Sequence, residues 1–99
     1  MALNNITQED KRILRKVKRK AKDLNINFKN ITFSNRKNKL YKITFNNDKK
    51  DIHFGSDNRS HFLYHGNKER RERFLSRWKN NKFKDDPSSA LFYSYKLLW

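Results

Sequence analysis

The chain has 99 residues, enough for one domain with a modest core and no second one. It carries 25 Lys and Arg against 10 Asp and Glu, a formal charge of +15, and an anionic partner such as nucleic acid would relieve that self-repulsion. The absence of cysteine excludes a disulfide framework and a thiolate metal centre.

The opening residues MALNNITQEDK lack the apolar region of a secretory leader. The longest apolar stretch, ALFYSYKLLW at 90–99, is about half the length that crosses a bilayer. A soluble single domain spanning 1–99 is expected, with no membrane partner.

Thr7 followed by Gln8, Glu9 and Asp10 predicts a helix start, with a capping hydroxyl and acids at the positive end of the dipole. The helix should cover about 8–23. Ile13, Leu14, Val17, Ala21 and Leu24 fall within an arc of about 100°, one stripe for packing on a sheet. Eight of the twelve residues from Lys11 to Lys22 are cationic: Lys11, Arg12, Arg15, Lys16, Lys18, Arg19, Lys20 and Lys22. No acid lies between Asp10 and Asp23, although like charges at i, i+4 destabilise a helix. This density points to polyanion contact; a solvated face, a nuclear-import signal and an anionic membrane surface are the other readings. The membrane version lacks an aromatic residue in the stripe to sit at the lipid interface.

After the helix the hydrophobic period changes to two. Leu24, Ile26 and Phe28 alternate, then the pattern slips to Ile31 and Phe33, which suggests a bulged strand or two short ones. Tyr41, Ile43 and Phe45 alternate with Lys42 and Thr44, NNDKK turns, and Ile52 and Phe54 resume the pattern. Strands at about 26–33, 40–46 and 50–55 should form a three-stranded antiparallel meander. One face would carry the helix and the other Lys42.

All three histidines fall within HFGSDNRSHFLYH, residues 53–65. His61 and His65 have the i, i+4 spacing of two metal ligands. His53 sits at a strand end, however, and no Glu lies between His61 and His65 as a general base. The residues read as packing or hydrogen-bonding groups, and no metal, cofactor or catalytic residue is expected. Gly55 reads as a backbone requirement, a positive φ or a tight turn.

GNKERRERFLSRWK predicts a second helix capped by Asn67, with Phe74, Leu75 and Trp78 as its stripe and Arg70, Arg73 and Arg77 exposed. Arg71 is embedded in that stripe. Either its stem lies along the core with the head reaching water, which is the favoured reading, or it pairs with a carboxylate or a backbone carbonyl. Asp86 and Pro87 read as an N-cap and first helical residue. The segment after them is apolar all round as a helix and on one face as a strand; the start signal favours helix. Its aromatics exceed what a small domain covers, so part of residues 90–99 should dock on another copy or another protein.

The expected fold class is therefore α+β: a basic N-terminal helix, a three-stranded meander over about 26–55, and one or two helices over about 67–99. The order His53-Phe54-Gly55, Ser60, His65, Asn67, Arg70-Arg71, Arg73-Phe74, Arg77 and Leu97-Leu98-Trp99 resembles small basic proteins encoded by giant and algal large DNA viruses. The resemblance covers roughly residues 40–99 and leaves the basic helix outside. His61-Phe62-Leu63 stands where those relatives usually carry an Asp-Tyr-Thr type run, and Asn67 where they commonly have Asp. The resemblance implies a viral origin, a virion or infected-cell location and a shared fold, without a mechanism. The expectation is a non-enzymatic, low-specificity binder of nucleic acid, DNA favoured, acting through the helix cations, Lys42, Arg70, Arg73 and Arg77. The alternative is a structural virion component docking through its aromatic C-terminal segment.

Overall fold

The computed structural model describes residues 6–99; the start of the segment read above as lacking an apolar leader lies outside them. The chain is an α+β fold. Helix α1 (Gln8–Asp23) leads into strands β1 (Asn30–Phe33), β2 (Lys39–Thr44) and β3 (Ile52–Ser56), which form an antiparallel sheet in the order β1-β2-β3. Helices α2 (Phe62–His65) and α3 (Lys68–Trp78) follow. After a 3-10 turn (Lys82–Asp85), α4 (Ala90–Tyr93) widens into a π-helical turn over Ser94–Leu98.

The expected start of α1 is present as a capping box. Asp10 N–H donates to Thr7 Oγ1 at 3.1 Å, and Thr7 N–H donates to Asp10 Oδ2 at 2.8 Å. The helix ends because Asn25 turns left-handed (φ 58°) and Ile26 N–H reaches back to Ala21 O at 3.0 Å. Residues 26–29 are a connection outside the strand, in which Lys29 N–H already donates to Thr44 O at 2.7 Å, and β1 starts at Asn30, four residues later than the alternation suggests. The slip between Phe28 and Ile31 is the passage from loop to strand, not a bulge. Leu24, placed on the apolar stripe by its spacing, is half exposed at 51%.

Across the sheet Ile31 faces Ile43 and Phe33 faces Tyr41; on the other side Tyr41 faces Phe54 and Ile43 faces Ile52. These residues share one sheet face by the two-residue period. Ile13, Val17 and Ala21 of α1 join Ile31, Tyr41, Ile43 and Phe54 in a single core with Tyr93, Leu97 and Leu98. Both chain ends thus cover the sheet, and burying each large side chain there stabilises the fold by roughly 1.5–3 kcal/mol. Part of the apolar C-terminal segment is expected to dock on a partner; its Tyr93, Leu97 and Leu98 complete the chain's own core. Phe92, Tyr95 and Trp99 stay half-buried.

Gly55 lies inside β3 with φ +79°, where a Cβ would stand 3.0 Å from Leu98 Cδ1. The residue must be glycine both for its backbone angle and for the close approach of the C-terminal helix. Asp86 and Pro87 do not open a helix. Asp86 closes the 3-10 turn and accepts from Ser88 N–H and Oγ–H at 2.9 and 2.7 Å, an Asx turn that delays the helix. Ser89 caps α4 in their place, accepting from Leu91 N–H at 3.2 Å.

Candidate nucleic-acid interface

The cations of α1 are displayed by a helix that the core holds rigidly. Lys11, Arg12, Arg15, Lys16, Arg19 and Lys22 are exposed, and Lys18 and Lys20 are half-buried. Arg12 comes to 3.7 Å of Glu9, an exposed pair that contributes little. Among the described residues no other cation of α1 has a carboxylate within ion-pair distance. Arg12, Arg15, Lys16 and Arg19 line a shallow groove of about 370 Å³.

What orients this helix is a buried carboxylate. Asp10 is 1% exposed; it accepts from Arg59 Nε at 2.8 Å, Arg59 Nη2 at 3.1 Å and the Tyr64 hydroxyl at 2.6 Å. Burial alone would raise its pKa. The bonds from Arg59, Thr7 N–H and Tyr64, with the Arg59 charge, outweigh burial and hold the carboxyl well below its ordinary range. The sequence reading assigned Asp10 to the helix cap alone; its partners lie 49 and 54 residues away. A carboxylate on the apolar side of an otherwise cationic helix is the only local signal of them.

Helix α3 presents the second cationic set. Asn67 caps it as expected, its Oδ1 accepting from Glu69 N–H at 3.0 Å and Arg70 N–H at 3.1 Å. Arg70, Arg73 and Arg77 are exposed and line a cleft of about 320 Å³ with Phe74 and Trp99. The predicted stripe is only half-buried, and no residue of α3 is fully buried. Its aromatic groups stack on one another: Phe74 and Trp99 lie 4.4 Å apart with planes 7° from parallel. Trp78 packs at 6.4 Å from Phe74, with the Arg77 guanidinium 5.2 Å above its ring.

Arg71 is exposed, as the favoured reading expects, and also pairs with a backbone oxygen, as the second does. Its Nε–H donates to the main-chain oxygen of Trp99 at 2.6 Å, and the guanidinium sits 5.3 Å over Phe62. Lys20 of α1 has its pKa lowered by burial and then by the Arg71 charge.

Lys42 belongs to a different surface. It faces His53 across the β2–β3 ladder, on the side of the sheet away from Tyr41 and Ile43. The pKa of His53 is pushed down by burial and then by the Arg36, Lys42 and Lys39 charges, with Asp51 opposing. Arg36 and Lys39, in or beside the β1–β2 turn, were not singled out from sequence; only the fold gathers them around Lys42.

Each histidine is engaged by the fold. The Ser34 hydroxyl bonds to His53 Nδ1 at 2.6 Å, and Tyr41 OH bonds to His61 Nε2 at 3.1 Å. Asn67 N–H donates to His65 Nδ1 at 2.8 Å. Burial, together with the charges of His65 and Lys20, pushes His61 down to about 3, so it is neutral. His61 also starts α2, a short helix that the sequence reading did not foresee, closed by Gly66 at φ 63°.

These features define a small α+β protein with an anchored cationic helix and an arginine-aromatic surface. The chain belongs to a family of unknown function, DUF5754, whose model matches residues 29–78. No curated protein and no solved structure matches it. The matched segment holds the three strands, α2 and α3, including Arg59 and Tyr64; α1 and α4 lie outside it.

Proposed function

We propose that the protein is a non-enzymatic, low-specificity nucleic-acid-binding protein, with DNA as the favoured partner. The observation that carries this reading is the cationic face of α1, rigidly backed by buried Ile13, Val17 and Ala21 and almost free of internal ion pairs. Such a face neutralises phosphates without reading bases. No helix of the described residues is long and apolar enough to cross a membrane. Association with a packaged viral genome is part of the same proposal; for the viral origin it rests on the sequence resemblance alone.

About four to six cations of α1 can reach phosphates of one duplex, so log affinity should fall with log salt at a slope of about −4 to −5. Replacing Arg15, Lys16, Arg19 and Lys22 with Gln removes no buried side chain and keeps helix propensity. The slope should become shallower by about 2–4 units with unchanged sequence preference. An unaltered affinity and slope would remove α1 from the contact surface. The alternative, docking in a virion shell through residues 90–99, has half-buried Ala90, Leu91, Phe92, Tyr95 and Trp99 as its apolar surface. Co-sedimentation with the shell after capsid disruption would favour it.

A further inference from the structure

The stacked Phe74–Trp99 pair is a wall shared by two clefts. On one side lie Arg70, Arg73 and Arg77. On the other is a pocket of about 210 Å³ lined also by Ser56, Ser60, His61 and Ser94. His61 is 4% exposed, and its Nδ1 is buried without a hydrogen-bond partner, while Nε2 is held by Tyr41. A buried polar atom of this kind is costly unless a partner is supplied. The aromatic wall is held in place before any ligand arrives: Arg71 fixes the Trp99 main chain, and the His65 ring packs 5.3 Å from the indole.

The chemistry of the two clefts differs and is complementary. One offers guanidinium groups for phosphate. The other offers a flat aromatic surface, three hydroxyls and an imidazole, all uncharged, for the donors and acceptors on the edge of a planar heterocycle. Its volume is below the roughly 300 Å³ at which pockets begin to hold drug-sized ligands, so it suits a fragment the size of one ring system.

We propose that this double cleft takes an unpaired base of single-stranded nucleic acid, the base stacked at the Phe74–Trp99 wall and its phosphates along Arg70, Arg73 and Arg77. Bases inside a duplex are already stacked and cannot enter, whereas single strands are bound by aromatic platforms beside cationic grooves. The proposal rests on the nucleic-acid reading of the preceding subsection and adds a substrate form to it.

The test compares a short single strand of DNA with an abasic strand of the same length and phosphate number, using the full chain at one salt concentration. Stacking of one base predicts that the normal strand binds about fivefold or more tightly than the abasic one. Trp99→Leu, which removes the stacking ring, should bring that ratio close to one; Ser56→Val, which removes one hydroxyl from the base pocket and lies outside the arginine cleft, should lower the ratio by about twofold or more and leave affinity for the abasic strand unchanged. The fourfold Gln variant of α1 should weaken both strands and keep the ratio. If Trp99→Leu does not fold, as judged by circular dichroism, Ser56→Val decides. Equal binding of the two strands by the wild type, or a ratio that survives in the variants that fold, overturns the base site and leaves phosphate binding standing. Failure of both strands and of a duplex to bind at low salt overturns the phosphate reading as well.

Discussion

Helices α1 and α3 are both crowded with Lys and Arg, yet they are attached to the molecule in opposite ways. α1 buries Asp10, Ile13, Val17 and Ala21; α3 buries nothing completely and rests on partly buried aromatic rings. A cationic surface can thus be built as a rigid face whose apolar side is core, or as a layer whose aromatic side chains remain accessible. The first arrangement suits charge neutralisation, which needs position only. The second leaves rings free to touch a ligand.

The contrast is most exposed to failure in paired truncations. Ile13→Ala should cost about 2–5 kcal/mol, as expected for a fully buried residue, whereas Phe74→Ala should cost less, about 1.5 kcal/mol, because that residue is only partly buried. Equal losses in denaturant titrations would show α3 to be as much a part of the core as α1. Asp10→Ala comes next. It strands Arg59 beside an empty partner, and a broken buried pair costs about 3–5 kcal/mol; since the Arg59 side chain is 30% exposed, the lower end, about 3 kcal/mol, is expected. No equivalent loss should follow from Arg70→Ala on α3.

The effect of acid is smaller and graded. His61 is neutral in the fold, with its pKa pushed down to about 3, while in the unfolded chain it takes up a proton near pH 6.5. Its contribution is therefore fully present above about pH 6.5 and is lost as pH falls towards 3, at up to about 1.4 kcal/mol per pH unit. His53 and His65, also pushed down, act in the same direction. Below about pH 4 Asp10 adds its own loss, because its folded pKa is depressed: its stabilisation is fully present above the unfolded value and is lost progressively as pH falls from there towards the folded one. Thermal melts of His61→Gln between pH 7 and pH 4 should show a shallower decline than wild type; an identical decline would place the proton uptake elsewhere.

The smallest effect concerns charge on α1 itself. Arg15 and Arg19, Arg12 and Lys16, and Lys18 and Lys22 are i, i+4 pairs of like sign, each worth about 0.2–0.5 kcal/mol of destabilisation. The fourfold Gln variant should melt slightly higher than wild type at low salt, and the gain should shrink as salt screens the pairs. A lower melting temperature at low salt would mean that these side chains have structural partners.

Much of this architecture is legible in the residues. The stripe Ile13-Val17-Ala21, the Thr7 start, the Asn67 cap, the three alternating strands and the glycine requirement at 55 all follow from local period and local hydrogen bonding, which short segments encode by themselves. Two kinds of feature are not. Boundaries such as Asn30 and Ser89 depend on which of two nearby caps wins, and Asn25 and Ser89 prevail over an extended start at 26 and over Asp86. Pairings between separate segments, Asp10 with Arg59 and Tyr64, Phe74 with Trp99, Lys42 with His53, exist only after the fold has brought them together. The cations of the candidate interface are visible in sequence; the aromatic wall between its two clefts is not.

Because Ile13, Val17 and Ala21 share one core with Leu97 and Leu98, the molecule joins residues about 80 positions apart before its sheet is covered on both halves. Closing so long a loop must precede the reward of packing, which slows folding relative to helical bundles of similar size. The meander can pair early, but with Tyr41 and Phe54 uncovered it is a sticky intermediate until both ends arrive. Refolding yield should therefore fall as protein concentration rises, and under the proposed function a polyanion bound to α1 would favour the docking of that helix by binding only the finished face.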